Sequence, residues 1–256
     1  MTRRLDKRER FAKVSLNPVI RHYRPGDREA VRTICYRTAC RGKEGSPFLE
    51  VREILQDYLT RFYTDWTPET VWVVERSGQV VGYLLGCADS RRHLHVTIRK
   101  IVPALLLKML LQATGGRFRS GPTKKLLKWI FLQSWREIPG VPLESYASHF
   151  HCNLLPAVTG AQCYTKLALM FFREMEGRGV CGFHAQILEP ERGPFKRMLD
   201  HFLREYPGQD HFYTETASTF HRDVLGSRKK MVHRVWGGDL ATAKAAFAFM
   251  RDHYHL

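Results

Sequence analysis

The stretch from Ser148 to Val180 (SHFHCNLLPAVTGAQCYTKLALMFFREMEGRGV) constrains the fold of this chain more than any other. From His149 to Leu155 the side chains alternate. Phe150, Cys152 and Leu154 make an apolar face, and His149, His151 and Asn153 a polar one, which is the period-two mark of a strand. Pro156 has no N–H to give to a ladder and ends it. Ala157 to Gln162 is a turn of small residues around Gly160. From Gln162 onward Leu167, Leu169, Met170, Phe171 and Met175 recur at helical spacing, and Gly177 and Gly179 close the helix. A strand running through a short turn into a helix N-terminus gathers unpartnered first-turn N–H groups and the positive end of the macrodipole. That is an anion site by construction.

The flanking sequence supplies the rest of an α/β domain. Residues 1–17 read as a basic, poorly ordered arm. Val19–Tyr23 alternates as a short strand, PGD at 25–27 turns, and Asp27 is placed to cap a helix running to about Cys40. A loop over 42–47 precedes a second helix from about Phe48 to Tyr63. Val71–Glu75 and Val80–Cys87 are strands joined through Ser77–Gly78, a hairpin signal. Beyond the central strand and helix, Cys181–Leu188 reads as a strand parallel to the central one, because a helix crosses over between them. A helix over 191–205, strands over 212–218 and 231–236, and a terminal helix capped by Asp239 complete the order.

Composition adds one asymmetry. Between Arg91 and Arg136 there are eleven Lys and Arg and no Asp or Glu, so this segment carries +11 of the net +16. It lies in an insertion over about 89–146. Leu94–Thr114 and Pro122–Arg136 read as helices with Leu-rich stripes and basic flanks. Such an element suits a solvated face packed on the domain, a wall over an anionic ligand, or an anionic membrane surface. Nucleic acid comes last, since no recognised binding motif accompanies the charge. No C-x-x-C pair occurs among the six Cys, so buried thiols are expected and a metal is not. The charged first residues carry no apolar leader, and no apolar run approaches the ~20 residues of a membrane span, so a cytoplasmic protein is expected.

The segment His149–Pro156 (HFHCNLLP) resembles the central strand of the GCN5-related N-acetyltransferases (GNAT). It looks most like bacterial members related to the acetyltransferase-like domain of O-GlcNAcases, where HLHxNLLP precedes a Gln/Arg-x-x-Gly-x-Gly/Ala loop. The loop here is degenerate, with Thr159 at the Gln/Arg position and Gln162 and Tyr164 at the two glycines. The resemblance spans most of residues 18–237. It implies a GNAT-like mixed central sheet with flanking helices, here with a basic helical insertion, in a single domain over 18–256. It implies acetyl-CoA, or a longer acyl-CoA, as cosubstrate and a small-molecule amine, such as an amino sugar, as acceptor. Asn153, Leu154 and Leu155 would present backbone to the pantetheine. Thr159, Gly160, Ala161, Gln162, Tyr164 and Thr165 would face the pyrophosphate.

For catalysis, a mid-strand histidine titrates near neutrality and can act as a base, which points to His151; a structural, hydrogen-bonded histidine is the plainer alternative. The family's Asn-x-x-Ala-x-x-Phe-Tyr pattern finds Glu189, Arg192, Phe195 and Lys196 here. That makes Lys196 the residue at the thiolate-acid position and Glu189 a possible base, or simply a carboxylate leading into a helix. A long-chain acyl donor would require a tunnel between insertion and core. The reading that follows is an acyl-CoA-dependent N-acyltransferase. Its alternative is a catalytically silent GNAT-like module for an anionic ligand, a membrane face or a protein.

Overall fold

The structure, a computed structural model, describes residues 17–39, 48–158 and 162–254. The expected basic arm therefore falls almost wholly outside the described residues, as do Cys40, the 42–47 loop, Thr159, Gly160 and Ala161. Along the chain run β1 (Val19–His22), α1 (Arg28–Ala39), α2 (Arg52–Trp66), β2 (Val71–Arg76) and β3 (Gln79–Cys87). The insertion contributes α3 (Ser90–Val96), α4 (Val102–Thr114) and α5 (Gly121–Leu132). Then come β4 (His149–Leu154), α6 (Cys163–Gly177), β5 (Gly182–Pro190) and α7 (Pro194–Glu205). The chain closes with β6 (His211–Ser218), the short α8 (Phe220–Asp223), β7 (Met231–Asp239) and α9 (Leu240–Tyr254).

The strands form two antiparallel sheets, ordered β1-β2-β3-β4 and β5-β7-β6. They meet at one parallel bridge between Ser148 and Phe183, which is the only mixed element of the expected mixed sheet among the described residues. The β2–β3 hairpin forms as its sequence demands. Ser77 (φ 53°) and Gly78 (φ 76°) both take the left-handed conformation of a two-residue turn whose twist matches the strands. Strand alternation divides the core in two. Val71, Val73, Tyr83 and Leu85 pack on α1 and α2 through Val31, Ile34 and Phe62. Trp72, Val74 and Leu84 pack on α6 and α9 through Leu167, Phe171 and Ala243.

Asp27 does not cap α1 through its own first turn. Its carboxylate accepts the Arg24 N–H (2.7 Å) and both ends of the Arg21 guanidinium, tying the turn before α1 back to β1. Asp239 does cap the last helix, accepting the Thr242 N–H at 2.6 Å.

The insertion folds down on the domain. α4 packs on α2, and α5 packs on α8. Between α3 and α4 a π-helical turn occupies Thr97–Ile101. Pro103 lacks an N–H and its ring would crowd the carbonyl four residues back, and the widened turn relieves both. Glu50 accepts the backbone N–H groups of Arg119 and Ser120, pinning the loop between α4 and α5. Glu137, only 6% exposed, accepts from the Trp129 indole and from the Ser218 and Thr219 hydroxyls. A buried carboxylate needs such partners, and these hold the far end of the insertion against β6.

Candidate active site

The two sheets part immediately beyond their bridge. The Ser148 N–H reaches Gly182 O (3.0 Å), the His184 N–H reaches Ser148 O (2.9 Å), and the Ser148 hydroxyl adds a bond to Gly182 O (2.9 Å). Downstream, β4 stays paired to β3 and β5 to β7, so a wedge opens between them. Which backbone groups face it follows from hydrogen-bond parity. Leu155 gives its N–H to Val81 O of β3 (2.9 Å), so His149, His151 and Asn153 point their backbone groups the same way. Phe150, Cys152 and Leu154 then turn theirs into the wedge. Of the three residues expected to offer backbone, only Leu154 does so, while Phe150 and Cys152 join it. Strand periodicity already contained that answer once one paired residue was known.

The wedge is a cleft of about 740 Å³. Phe150, Cys152, Tyr164, Phe183, Trp236 and Phe247 give it an apolar floor, and Cys35 and Thr38 of α1 close one side. Phe150 stacks on Phe183 across the parting strands, with ring centroids 5.2 Å apart. No residue of the insertion lines this cleft, so the tunnel that a long-chain donor would need between insertion and core is not formed here.

His151 and Asn153 are the polar groups on the β4 wall. The Asn153 amide lies between Tyr83 Oη (2.7 Å) and His151 Nε2 (3.1 Å). With its nitrogen toward both, the amide donates to each, and His151 carries its proton on Nδ1. Rotated by half a turn, the amide oxygen accepts from the Tyr83 hydroxyl and from Nε2–H, and the Nδ1 lone pair is freed. The orientation of Asn153 thus decides whether His151 is a donor or an acceptor. Burial pushes the His151 imidazole down to about 4, so it is neutral near pH 7.

His149, behind it, is structural. The Ser90 hydroxyl donates to Ala147 O (2.6 Å) and so accepts from His149 Nδ1 (2.6 Å), which leaves Nε2 to accept from Tyr63 Oη (2.9 Å). His184 lies against the same ring at 5.2 Å, and His93 at 5.1 Å. Burial, then the neighbouring His93 and His184, holds His149 far below the ordinary histidine range. Among the described residues no group of three or more His, Cys, Asp or Glu is arranged to hold a metal ion.

Glu189 lines the cleft and Lys196 lies off it, and each is engaged by another side chain. The Glu189 carboxylate is 4% exposed and pairs with Arg234 Nη1 at 2.6 Å. It also accepts the N–H groups of Phe195 (2.9 Å) and Lys196 (3.0 Å), in the first turn of α7. It therefore caps a helix and neutralises a buried guanidinium, the helix-leading role that its position before Pro190 allowed. Lys196 gives its ammonium to Asp200 at 2.5 Å and lies beside the Tyr213 ring, off the cleft lining. Of that pattern Glu189 and Phe195 line the cleft.

At the far end of the wedge β4 delivers the chain to α6. Gln162, at the first glycine position, is exposed and holds φ at 54°, the left-handed backbone that glycine adopts without strain. Tyr164, at the second position, turns inward and stacks on Phe247 (5.8 Å), with burial raising its phenol so that it stays protonated. Thr165 is buried in the first turn of α6, and Lys166 is exposed beside it.

Neither a protein-family model nor a curated protein matches the chain by sequence. Solved structures do match. The crystal structure of SsHAT is 23% identical, covering 88% of this chain and 98% of its own, at a TM-score of 0.54. An N-acetyltransferase from Staphylococcus aureus Mu50 matches at 11% identity over 88% of this chain and 99% of its own, with a TM-score of 0.46. The yncA protein of Salmonella typhimurium, solved with its cofactor acetyl-CoA, matches at 13% over 86% and 92%, with a TM-score of 0.41. The likeness to SsHAT is one of fold: this chain has the GNAT fold.

Proposed function

We propose that this chain is an acyl-CoA-dependent N-acyltransferase, transferring acetyl to an amine. The observation that carries the reading is the parted β4–β5 junction. A strand edge there presents N–H and C=O groups toward a cleft that leads to the N-terminus of a helix. Such an edge can hold an extended amide chain as a neighbouring strand would, and the helix terminus favours phosphate. Phe150, Cys152 and Leu154 supply the edge, and Gln162, Tyr164 and Thr165, with Thr159, Gly160 and Ala161, the phosphate end. The acyl-CoA supplies the activated thioester.

His151 is assigned to the acceptor. At about 4 its imidazole is too weak to strip an alkylammonium, a gap of about six pKa units or ~8 kcal/mol. The acceptor therefore enters as the free amine. His151, with the Asn153 oxygen on Nε2, orients it by accepting a hydrogen bond at Nδ1. A backbone N–H directed at the developing oxyanion supplies the electrostatic part of the catalysis. Calorimetric titration with acetyl-CoA and longer acyl-CoAs tests the reading. Micromolar binding that weakens when residues 159–164 are altered supports it. Absence of binding by folded protein to any acyl-CoA refutes it.

A further inference from the structure

The outward face of α4 is a row of leucines that no other described residue covers. Leu106, Leu107, Leu110 and Leu111 are 42–64% exposed, although Leu105 on the opposite face is 5% exposed and packs in the core. Monomeric soluble proteins seldom leave contiguous apolar surface of this kind. The helix is bracketed by cations: Arg99 and Lys100 lie just before it, and Arg117 and Arg119 just after, all exposed. α5 repeats the pattern, with exposed Lys124, Lys125 and Lys128 on a helix whose end exposes Phe131, Leu132 and, just beyond, Trp135. Both helices pack on the same core cluster, so their outward faces lie on its far side. Among the described residues no carboxylate pairs with Arg99, Lys100, Lys124, Lys125 or Lys128.

We propose that this face docks on an anionic lipid bilayer, α4 lying in the plane of the interface. The chemistry is specific to that occupant. Leucines sink past the headgroups, the cations at both helix ends meet lipid phosphates, and an indole sits at headgroup depth. A protein partner would need acids to match these seven exposed cations of the two helices and their flanks, whereas a second copy of this face would bring like charges together. No helix among the described residues is long and apolar enough to cross a membrane, so the contact is peripheral. The proposal does not rest on acyl transfer and stands or falls separately.

The test is sedimentation of the full chain with vesicles of phosphatidylcholine alone or with a third phosphatidylglycerol, at low and high salt. Anionic vesicles are expected to bind at least tenfold tighter than neutral ones. The double substitution Leu107→Asp and Leu111→Asp is expected to cut that binding at least tenfold while the far-UV circular dichroism and melting stay unchanged. Lipids carrying brominated chains are expected to quench Trp135, read as the difference between the parent and Trp135→Phe. Three results overturn the proposal: failure of the parent to bind anionic vesicles, binding that is undiminished in the leucine variant, or a parent dimer that the leucine variant abolishes and that excludes vesicles.

Discussion

Replacing Glu189 separates a structural carboxylate from a catalytic one. In Glu189→Ala the Arg234 guanidinium, 2% exposed, loses its buried partner and keeps Glu215, which is 45% exposed, together with the carbonyls of Pro190 and Glu191. Breaking a buried pair costs about 3–5 kcal/mol, and the surviving half-exposed pair is worth ~1 kcal/mol or less. The first turn of α7 also loses its acceptor, worth roughly 1 kcal/mol. The sum is about 4 kcal/mol, which for a domain of this size lowers the melting temperature by about 10 °C. Glu189→Gln keeps an acceptor for α7 and loses the charge, so about half of that fall is expected. Because Pro194, Phe195 and Met198 line the cleft, the alanine variant should also weaken acyl-CoA binding. The assay is thermal melting beside steady-state kinetics on both variants. A glutamine variant that melts within about 2 °C of the parent yet has no turnover would falsify this account and make Glu189 the base.

Four further outcomes are expected. Burial holds His93 and His151 at about 4, so on acidification the unfolded chain takes up protons near pH 6.5 that the folded chain refuses. Stability is then complete above pH 6.5 and falls toward pH 4, by about 2 kcal/mol per histidine at pH 5; equal urea midpoints at pH 7 and pH 5 would contradict this. Gln162→Gly relieves a left-handed backbone and should gain about 0.5–1 kcal/mol in urea unfolding; a loss of stability means that the glutamine side chain has a role of its own. Gly182→Ala would drive a Cβ to within 2.0 Å of Ser145 O beside the sheet junction, and a loss of about 3 kcal/mol is expected; unchanged melting would show that the junction yields. With a simple amine acceptor, kcat/KM should climb through the amine's own pKa with no inflection near 6.5, whereas a break there would assign His151 as an ordinary histidine base.

Local pattern was enough for the elements and their order. Alternation over 149–155, the Ser77–Gly78 turn and the heptad-like stripes of α6 are interactions between residues close in sequence, and each formed where the pattern put it. The cap of α1 failed at that level because Asp27 had a stronger claimant in Arg21, a residue of the neighbouring strand. Glu189 is a second case: its place at the end of β5 is visible in the chain, but Arg234, which takes its carboxylate, comes from a strand that only sheet pairing brings alongside. Lys196 is held by Asp200, one turn along its own helix.

The sequence by itself determined which faces of each strand and helix are apolar, that a strand feeds a helix N-terminus at 149–163, and that one insertion concentrates the positive charge. Only the tertiary structure decided which backbone groups face the cleft, which titratable groups are spent on one another, and which leucines stay exposed. Patterning is set by side chains within a few residues of each other. Pairing, neutralisation and coverage are competitions among groups far apart in the chain, and their outcome exists only once the sheets have met at Ser148 and parted.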